Sequence, residues 1–299
     1  MDIATKLEDL RARGLPAISF ELFPPKTPEA EETLLRKGLP ELAALDPCFI
    51  SLTYGAGGST RGSTLRIAAH VARDLRVDAM AHLTCVGATR PELTAYLEEA
   101  RGQGIENILA LRGDPPAGQA SFRPVEGGFT RAVELVQLLR SMNGFSIGVA
   151  GFPEGHPDCP GDKYLNWEHL KQKVDAGAQF VITQLFFDNR AYFEFAEYMK
   201  GRLGVRVPIV PGILPFLSAA QLRRMTSMCG ATIPPALQAG LERIGDDDEA
   251  MTEFGIEYTT EQCAGLLQGG APGIHFYTLN RARSVKRILA ALGLRGSGA

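Results

Sequence analysis

The sequence predicts one α/β domain over residues 1–299, a (β/α)8 barrel (TIM barrel) with extra helices between its seventh and eighth strands. Two observations lead there. Short runs rich in apolar, β-branched and aromatic residues alternate with longer stretches of helical periodicity almost to the end of the chain. Eight such runs occur, and eight tilted parallel strands joined by crossover helices can close without leaving an edge. A doubly wound open sheet is the competitor, but no GxGxxG turn follows any of the runs.

The first strand falls at 17–23, where "AISFELF" runs into Pro24 and Pro25, which cannot donate to a ladder. A helix over 28–45 leads to the second strand, 49–55, and the third follows at 78–86. Helices at 90–103, 128–142 and 166–176 precede the fourth strand (107–114), the fifth (146–152) and the sixth (180–187). The seventh strand, 207–214, is separated from the eighth, 273–279, by a long interval. That interval holds a helix at 235–244 and the acidic run Asp246-Asp247-Asp248-Glu249, which reads as a solvated loop and not as a metal site. A last helix covers 284–292. The Gly- and Pro-rich loops at 115–128 and 153–161 serve equally well as lids over the catalytic face or as plain connections.

Composition narrows the partner. The chain is 45% hydrophobic and 22% charged, enough to bury a large core, and its net charge of -3 comes without a basic block. Nucleic acid and anionic membrane surfaces are therefore not expected, and a small molecule is. Five scattered cysteines with no CxxC suit reduced thiols. No leader-like start appears, and no run approaches the roughly eighteen apolar residues of a membrane span, so a cytoplasmic protein is expected.

In such a barrel, chemistry gathers where strands end, and the polar residues there are many. They are Glu21, Thr53, Tyr54, His82, Thr84, Arg112, Asp114, Glu154, His156, Gln184, Tyr277, Asn280 and Arg281. Glu21 stands in an apolar strand, where a charge is costly unless paired, hydrogen-bonded or neutralised by a proton. It fits a structural salt bridge to Arg112 or Lys26 as well as it fits an acid with a chemical task. Arg112 and Asp114 can equally pair across Gly113, and His82 alone reads more readily as a core histidine than as a ligand. Gln184, amid "FVITQLFFD", needs hydrogen-bond partners, and a ligand is a natural one. No strand carries a lysine for a Schiff base, and neither HExxH nor GxSxG occurs, although His82, His156 and His275 remain free to converge on one ion. An acid, a second carboxylate, an amide and basic groups around one mouth suit a polar anionic ligand and one proton transfer.

Seven segments run in order from about residue 17 to residue 283: "SFELFPPK", "LTYGAGGSTR", "AHLTC", "LALRGDPP", "KVDAGAQFVITQLFFD", "PIVPGILP" and "HFYTLNRA". Together they resemble the methylenetetrahydrofolate reductase family. The resemblance implies a flavin barrel in which FAD takes a hydride from NADH or NADPH and passes it to 5,10-methylenetetrahydrofolate. The product would be 5-methyltetrahydrofolate, a methyl source for methionine synthesis, formed with ping-pong kinetics in a homo-oligomer. Glu21 matches the family's general acid, which protonates folate N5 so that the five-membered ring opens to an iminium, and an apolar interior favours the proton-bearing form.

By the same resemblance Asp114 lies beside the flavin and the pterin, and Gln184, Gln221 and Arg281 bind substrate. Thr53, Tyr54, Ala56, His82, Arg112, Gly113, His156 and Lys173 fall on flavin or nicotinamide positions, Lys173 as a diphosphate partner. Three positions depart from the family pattern. Phe152 replaces a common tyrosine and Asn166 a frequent acid, both still at cofactor positions, and Met225 stands where some relatives place an aromatic. Nothing in the sequence reads NADH against NADPH. The stretch after "HFYTLNRA" is shorter than the roughly fifty residues a separate domain needs, which implies activity insensitive to S-adenosylmethionine. Two readings from other classes stand beside this one. One is a metal-dependent barrel lyase or aldolase with Glu21 as acid and His82, His156 and His275 as ligands; the other is a non-catalytic folate-binding barrel.

Overall fold

A computed structural model describes residues 2–55, 61–115, 118, 121–159 and 161–294. Nine parallel strands form one sheet: β1 (Ala17–Leu22), β2 (Phe49–Leu52), β3 (Ala79–Thr84), β4 (Asn107–Leu111), β5 (Ser146–Gly151), β6 (Phe180–Thr183), β7 (Ile209–Val210), β8 (Gly212–Ile213) and β9 (Gly273–Tyr277). Their order is β7-β6-β5-β4-β3-β2-β1-β9-β8. The expected seventh strand is therefore present in two pieces, because Pro211 has no N–H with which to hold a ladder. Its first half pairs with β6 and its second with β9, so this one interrupted strand closes the barrel. The His275 N–H donates to the Pro211 carbonyl at 2.9 Å across the join.

Ladders also stop short of the expected strand ends; β6, for example, ends at Thr183 and not at 187. The residues beyond, including Gln184, leave the sheet to form the rim. The large core lies between sheet and helices, where Phe20, Ile50, Leu83, Ile108, Val149 and Val181 meet the inner faces of the crossover helices. The second core fills the inside of the barrel floor and contains a helix that the sequence reading omits, α1 (Ile3–Ala12). Ile3, Leu7 and Leu10 of α1 pack against Phe49, Met80, Leu109 and Phe180, each contributing about 1.5–3 kcal/mol by burial. Asn107 Oδ1 accepts from the Ile3 N–H at 2.9 Å and Ser146 Oγ from the Ala4 N–H at 3.2 Å, so strand side chains satisfy the first amides of the plug.

The helix expected at 28–45 is a composite of α2 (Pro28–Thr33), a π-helical turn at Leu34–Gly38 and α3 (Leu39–Ala43). Pro40 lacks the N–H that an α-helical ladder requires, and just before it the Leu39 N–H reaches back to the Leu34 carbonyl. Next come α4 (Arg61–Arg73), α5 (Arg90–Gly102) and α6 (Ala132–Met142). The last of these begins at 132 and not at 128, because Glu134 Oε2 takes the N–H groups of Thr130 and Arg131 and fixes the start. α7 (Lys163–Asp175) begins earlier than expected, since Asp162 Oδ1 caps it by accepting from the Leu165 N–H at 2.9 Å. α8 (Asn189–Glu197) precedes β7, and α9 (Ala219–Cys229), α10 (Pro235–Ile244) and α11 (Asp248–Gln268) fill the long interval before β9. There the acidic run is a helix start: Asp247 caps α11 through the amides of Glu249 and Ala250. α12 (Ala282–Ala291) follows β9. Phe187, Phe216, Leu222, Leu237 and Met251 form a third core that joins the extra helices to the ends of β6 and β8.

Candidate active site

A cavity of about 610 Å³ opens at the carboxyl ends of the strands. Glu21 is the last β1 residue in register with β9, opposite Tyr277, and is 6% exposed. Its Oε2 lies 3.4 Å from Nε2 of His82 on β3 and 3.4 Å from Nε2 of His275 on β9. His275 is fully enclosed, with Nδ1 2.8 Å from Ser19 Oγ and its ring stacked on Phe49. His82 Nε2 makes no hydrogen bond within the described residues. Burial lowers the His82 pKa, and His275 reinforces the shift against the opposing effect of Glu21, so His82 is a neutral imidazole. Tyr277 donates to the Thr183 carbonyl at 2.6 Å, and burial holds its phenol well above the usual range.

The opposite wall comes from the ends of β4 and β5 and from α7. Arg112 pairs with Asp158 at 2.6 Å and lies over Phe122, its guanidinium carbon 5.1 Å from the ring centre. Gly113 has φ +90°, and a Cβ there would meet Val86 Cγ1 at 2.9 Å, so only glycine lets the chain turn against β3. Asp114 is exposed at the rim. His156 packs edge-on against Phe152 at 4.5 Å between centroids, and its pKa is lowered first by burial and then by Arg112. Lys173 donates to the Ala150 carbonyl at 2.8 Å, and burial brings its pKa down to about 8. Trp167, wholly buried beneath this wall, donates from Nε1 to the Phe152 carbonyl at 2.8 Å.

Of the residues that the resemblance assigns to the site, Glu21, Tyr54, His82, Arg112, Gly113, Asp114, Phe152, His156, Asn166, Lys173 and Gln184 line this one cavity. Three others do not. The Thr53 carbonyl accepts from Thr64, Gln221 Oε1 accepts from the Leu217 N–H at the entry to α9, and Arg281 is exposed at the start of α12. Ala56 lies outside the described residues. Met225 is on the wall, joined by Phe23, Met228 and His169, which sequence reasoning missed. Helical spacing carried the signal for His169, since 166, 169, 170 and 173 fall on one face of α7.

The wall fits a large planar cofactor with an anionic arm. Two enclosed polar atoms beside the cavity, His82 Nε2 and Thr84 Oγ1, make no hydrogen bond among the described residues. Arg112, His156 and Lys173 supply donors on the other side. Among the described residues no three His, Cys, Asp or Glu side chains are placed to hold a metal ion, so the trio of His82, His156 and His275 on which the rival lyase reading depends does not assemble as a metal site. No described helix is long and apolar enough to cross a membrane.

The chain is 42% identical over 304 aligned residues to methylenetetrahydrofolate reductase (NADH) 1 of Arabidopsis thaliana, covering 98% of this chain and 51% of that protein. It thus spans about half the length of the first curated relatives it matches. It is 37% identical to 5,10-methylenetetrahydrofolate reductase of Salmonella typhimurium, covering 93% of this chain and 91% of that one. A solved structure from Clostridium thermocellum, described as binding two copies of 5-methyl-5,6,7,8-tetrahydrofolic acid, superposes with a TM-score of 0.63 at 17% identity. That match covers 95% of this chain and 96% of the other, and it shows a shared fold. Residues 6–293 match the family model for methylenetetrahydrofolate reductase, and the chain belongs to that family.

Proposed function

We propose that the chain reduces 5,10-methylenetetrahydrofolate to 5-methyltetrahydrofolate, with FAD as resident cofactor and NADH or NADPH as electron donor. The observation that carries this reading is Glu21: an enclosed carboxyl beside a neutral imidazole, on the floor of a cavity whose far wall carries Arg112 and Lys173. Bound flavin would supply the hydride chemistry. The chain's own residues do the rest. Glu21 holds the proton that N5 of the folate needs for its ring to open, in a site shielded from bulk water. Asp114 at the rim accepts hydrogen bonds from the pterin's donor edge, and Gln184 offers its amide to the same ring. Arg112, His156 and Lys173 bind the cofactor's diphosphate, while Tyr54, Phe152 and Asn166 border its rings and sugar. Relatives are named for NADH in plants and for NADPH in Caenorhabditis elegans, so either donor is carried here.

The reading is tested by adding FAD to the purified protein and following its colour without oxygen. A yellow protein that NADH or NADPH bleaches and methylenetetrahydrofolate recolours supports it. A protein that binds no flavin, or that binds it and never recolours, overturns it.

Two expected outcomes follow from Lys173 and the rim. Lys173 is protonated below its pKa of about 8 and neutral above it, so its pull on an anionic diphosphate is lost as pH rises through that value. FAD affinity, followed by flavin fluorescence, should fall roughly tenfold between about pH 7 and 9.5, and Lys173→Met should flatten the profile. Asp114→Asn should weaken folate binding about tenfold, the measure of one charged hydrogen bond, in an equilibrium titration. Unchanged affinity would place the pterin elsewhere.

A further inference from the structure

The β1–β9 ladder ends at the pair Glu21 and Tyr277, yet two side chains from the turn after β9 carry the connection further. The Thr278 hydroxyl donates to the Glu21 carbonyl at 2.8 Å, and the Thr278 N–H reaches the same oxygen at 3.3 Å. Asn280 then grips both backbone groups of Phe23. Its Oδ1 accepts from the Phe23 N–H at 2.9 Å, and its Nδ2 donates to the Phe23 carbonyl at 2.8 Å. This is a strand pairing made by a side-chain amide, placed where Pro24 and Pro25 end the backbone's own ability to pair.

The turn that presents the amide is an unusual one. Leu279 and Asn280 are consecutive non-glycine residues in the left-handed region, with φ +49° and +63°. Asparagine tolerates that conformation better than most residues, whereas leucine does not, so the turn stores strain that its contacts must hold. What the contacts hold is the segment bearing Glu21 and Phe23, both of which face the cavity.

We propose that Asn280, with Thr278, is a positioning residue that fixes the Glu21 carboxyl and the Phe23 ring on the cavity wall. The inference deepens the proposed function and rests on it: the acid must stand within hydrogen-bond reach of folate N5, and a displacement of about 1 Å can cost about a hundredfold in rate.

The test uses Asn280→Gly, which accepts the left-handed backbone and removes only the amide, in the FAD-loaded full chain. Amide hydrogen exchange of the Phe23 segment should accelerate at least tenfold whether or not the functional reading holds. In stopped flow, oxidation of NAD(P)H should stay within about twofold of the parent protein, while reduction of methylenetetrahydrofolate falls by about ten- to a hundredfold in its maximal rate and little in apparent affinity. Thr278→Val should show the same selective loss, and Thr278→Ser should restore it. Exchange that does not change, or equal loss in both half-reactions, overturns the positioning role. A parent protein that reduces no methylenetetrahydrofolate, with exchange still accelerated in the variant, overturns the functional reading on which the role rests while leaving the clamp in place.

Discussion

Under the proposed function, Glu21→Gln should still bind flavin and have it reduced by NADH or NADPH at close to the parent rate, and should lose the reduction of methylenetetrahydrofolate by about a hundredfold to ten-thousandfold. Glutamine matches glutamate in size and can take up the same place beside His82 and His275, so the cavity keeps its shape. What it lacks is a transferable proton. Hydride transfer from the nicotinamide involves no folate nitrogen, whereas ring opening at N5 requires protonation, so the two half-reactions should separate. His82 does not substitute, because burial keeps its imidazole neutral. His275 lies on the side of Glu21 away from solvent, linked to Ser19 beneath it. Stopped-flow measurement of each half-reaction decides the matter, and equal damage to both would make Glu21 a structural carboxyl.

The barrel and its mouth were legible because their signals are local. A strand buried on both faces is a continuous apolar run, and a polar residue at its end stands out against that background, as Glu21, His82 and Gln184 do. Eleven of the residues assigned by the resemblance, drawn from six strand ends, a loop and a helix, consequently meet on one cavity. Features that depend on long-range contacts were not legible. α1 has a mixed pattern of its own, and only the open barrel floor, with Asn107 and Ser146 ready to cap it, shows why Ile3, Leu7 and Leu10 are apolar. Pro211 was visible, but that it divides one strand between two partners is a property of closure.

The salt-bridge alternative for Glu21 illustrates the same limit. Residue types allowed Arg112 as its partner, but Arg112 is committed to Asp158 on the next loop, and Glu21 meets histidines instead. Gln221 and Arg281 mark the opposite case. The family pattern assigns them to substrate, while their side chains stand at the entry to α9 and the start of α12, outside the cavity wall. Sequence order gives no measure of how far a rim extends.

Trp167→Ala should be the most destabilising single change beneath the site, at about 3–5 kcal/mol and a fall in melting temperature on the order of 10 °C. Trp167 is wholly enclosed among Tyr164, Phe195 and Tyr198, with ring centres 5.1–5.3 Å away, and the Lys163 ammonium lies 5.4 Å from its ring centre. Its removal leaves a large cavity that α7 and α8 cannot close without moving. The same side chain reaches the site through its Nε1–H, which holds the Phe152 carbonyl on the cavity wall. Trp167→Phe separates the two roles, because it keeps most of the packing and deletes only the donor. The Phe152 carbonyl retains the Gly155 N–H at 3.0 Å, so the lost bond should cost about 1 kcal/mol of stability. Its effect on the wall should show as weaker FAD binding at temperatures where the protein remains folded. Thermal melts of the flavin-free protein and fluorescence titration with FAD measure the two quantities independently. If Trp167→Phe binds FAD as tightly as the parent protein, then Phe152 is held by the loop turn alone, and Trp167 acts only through the core.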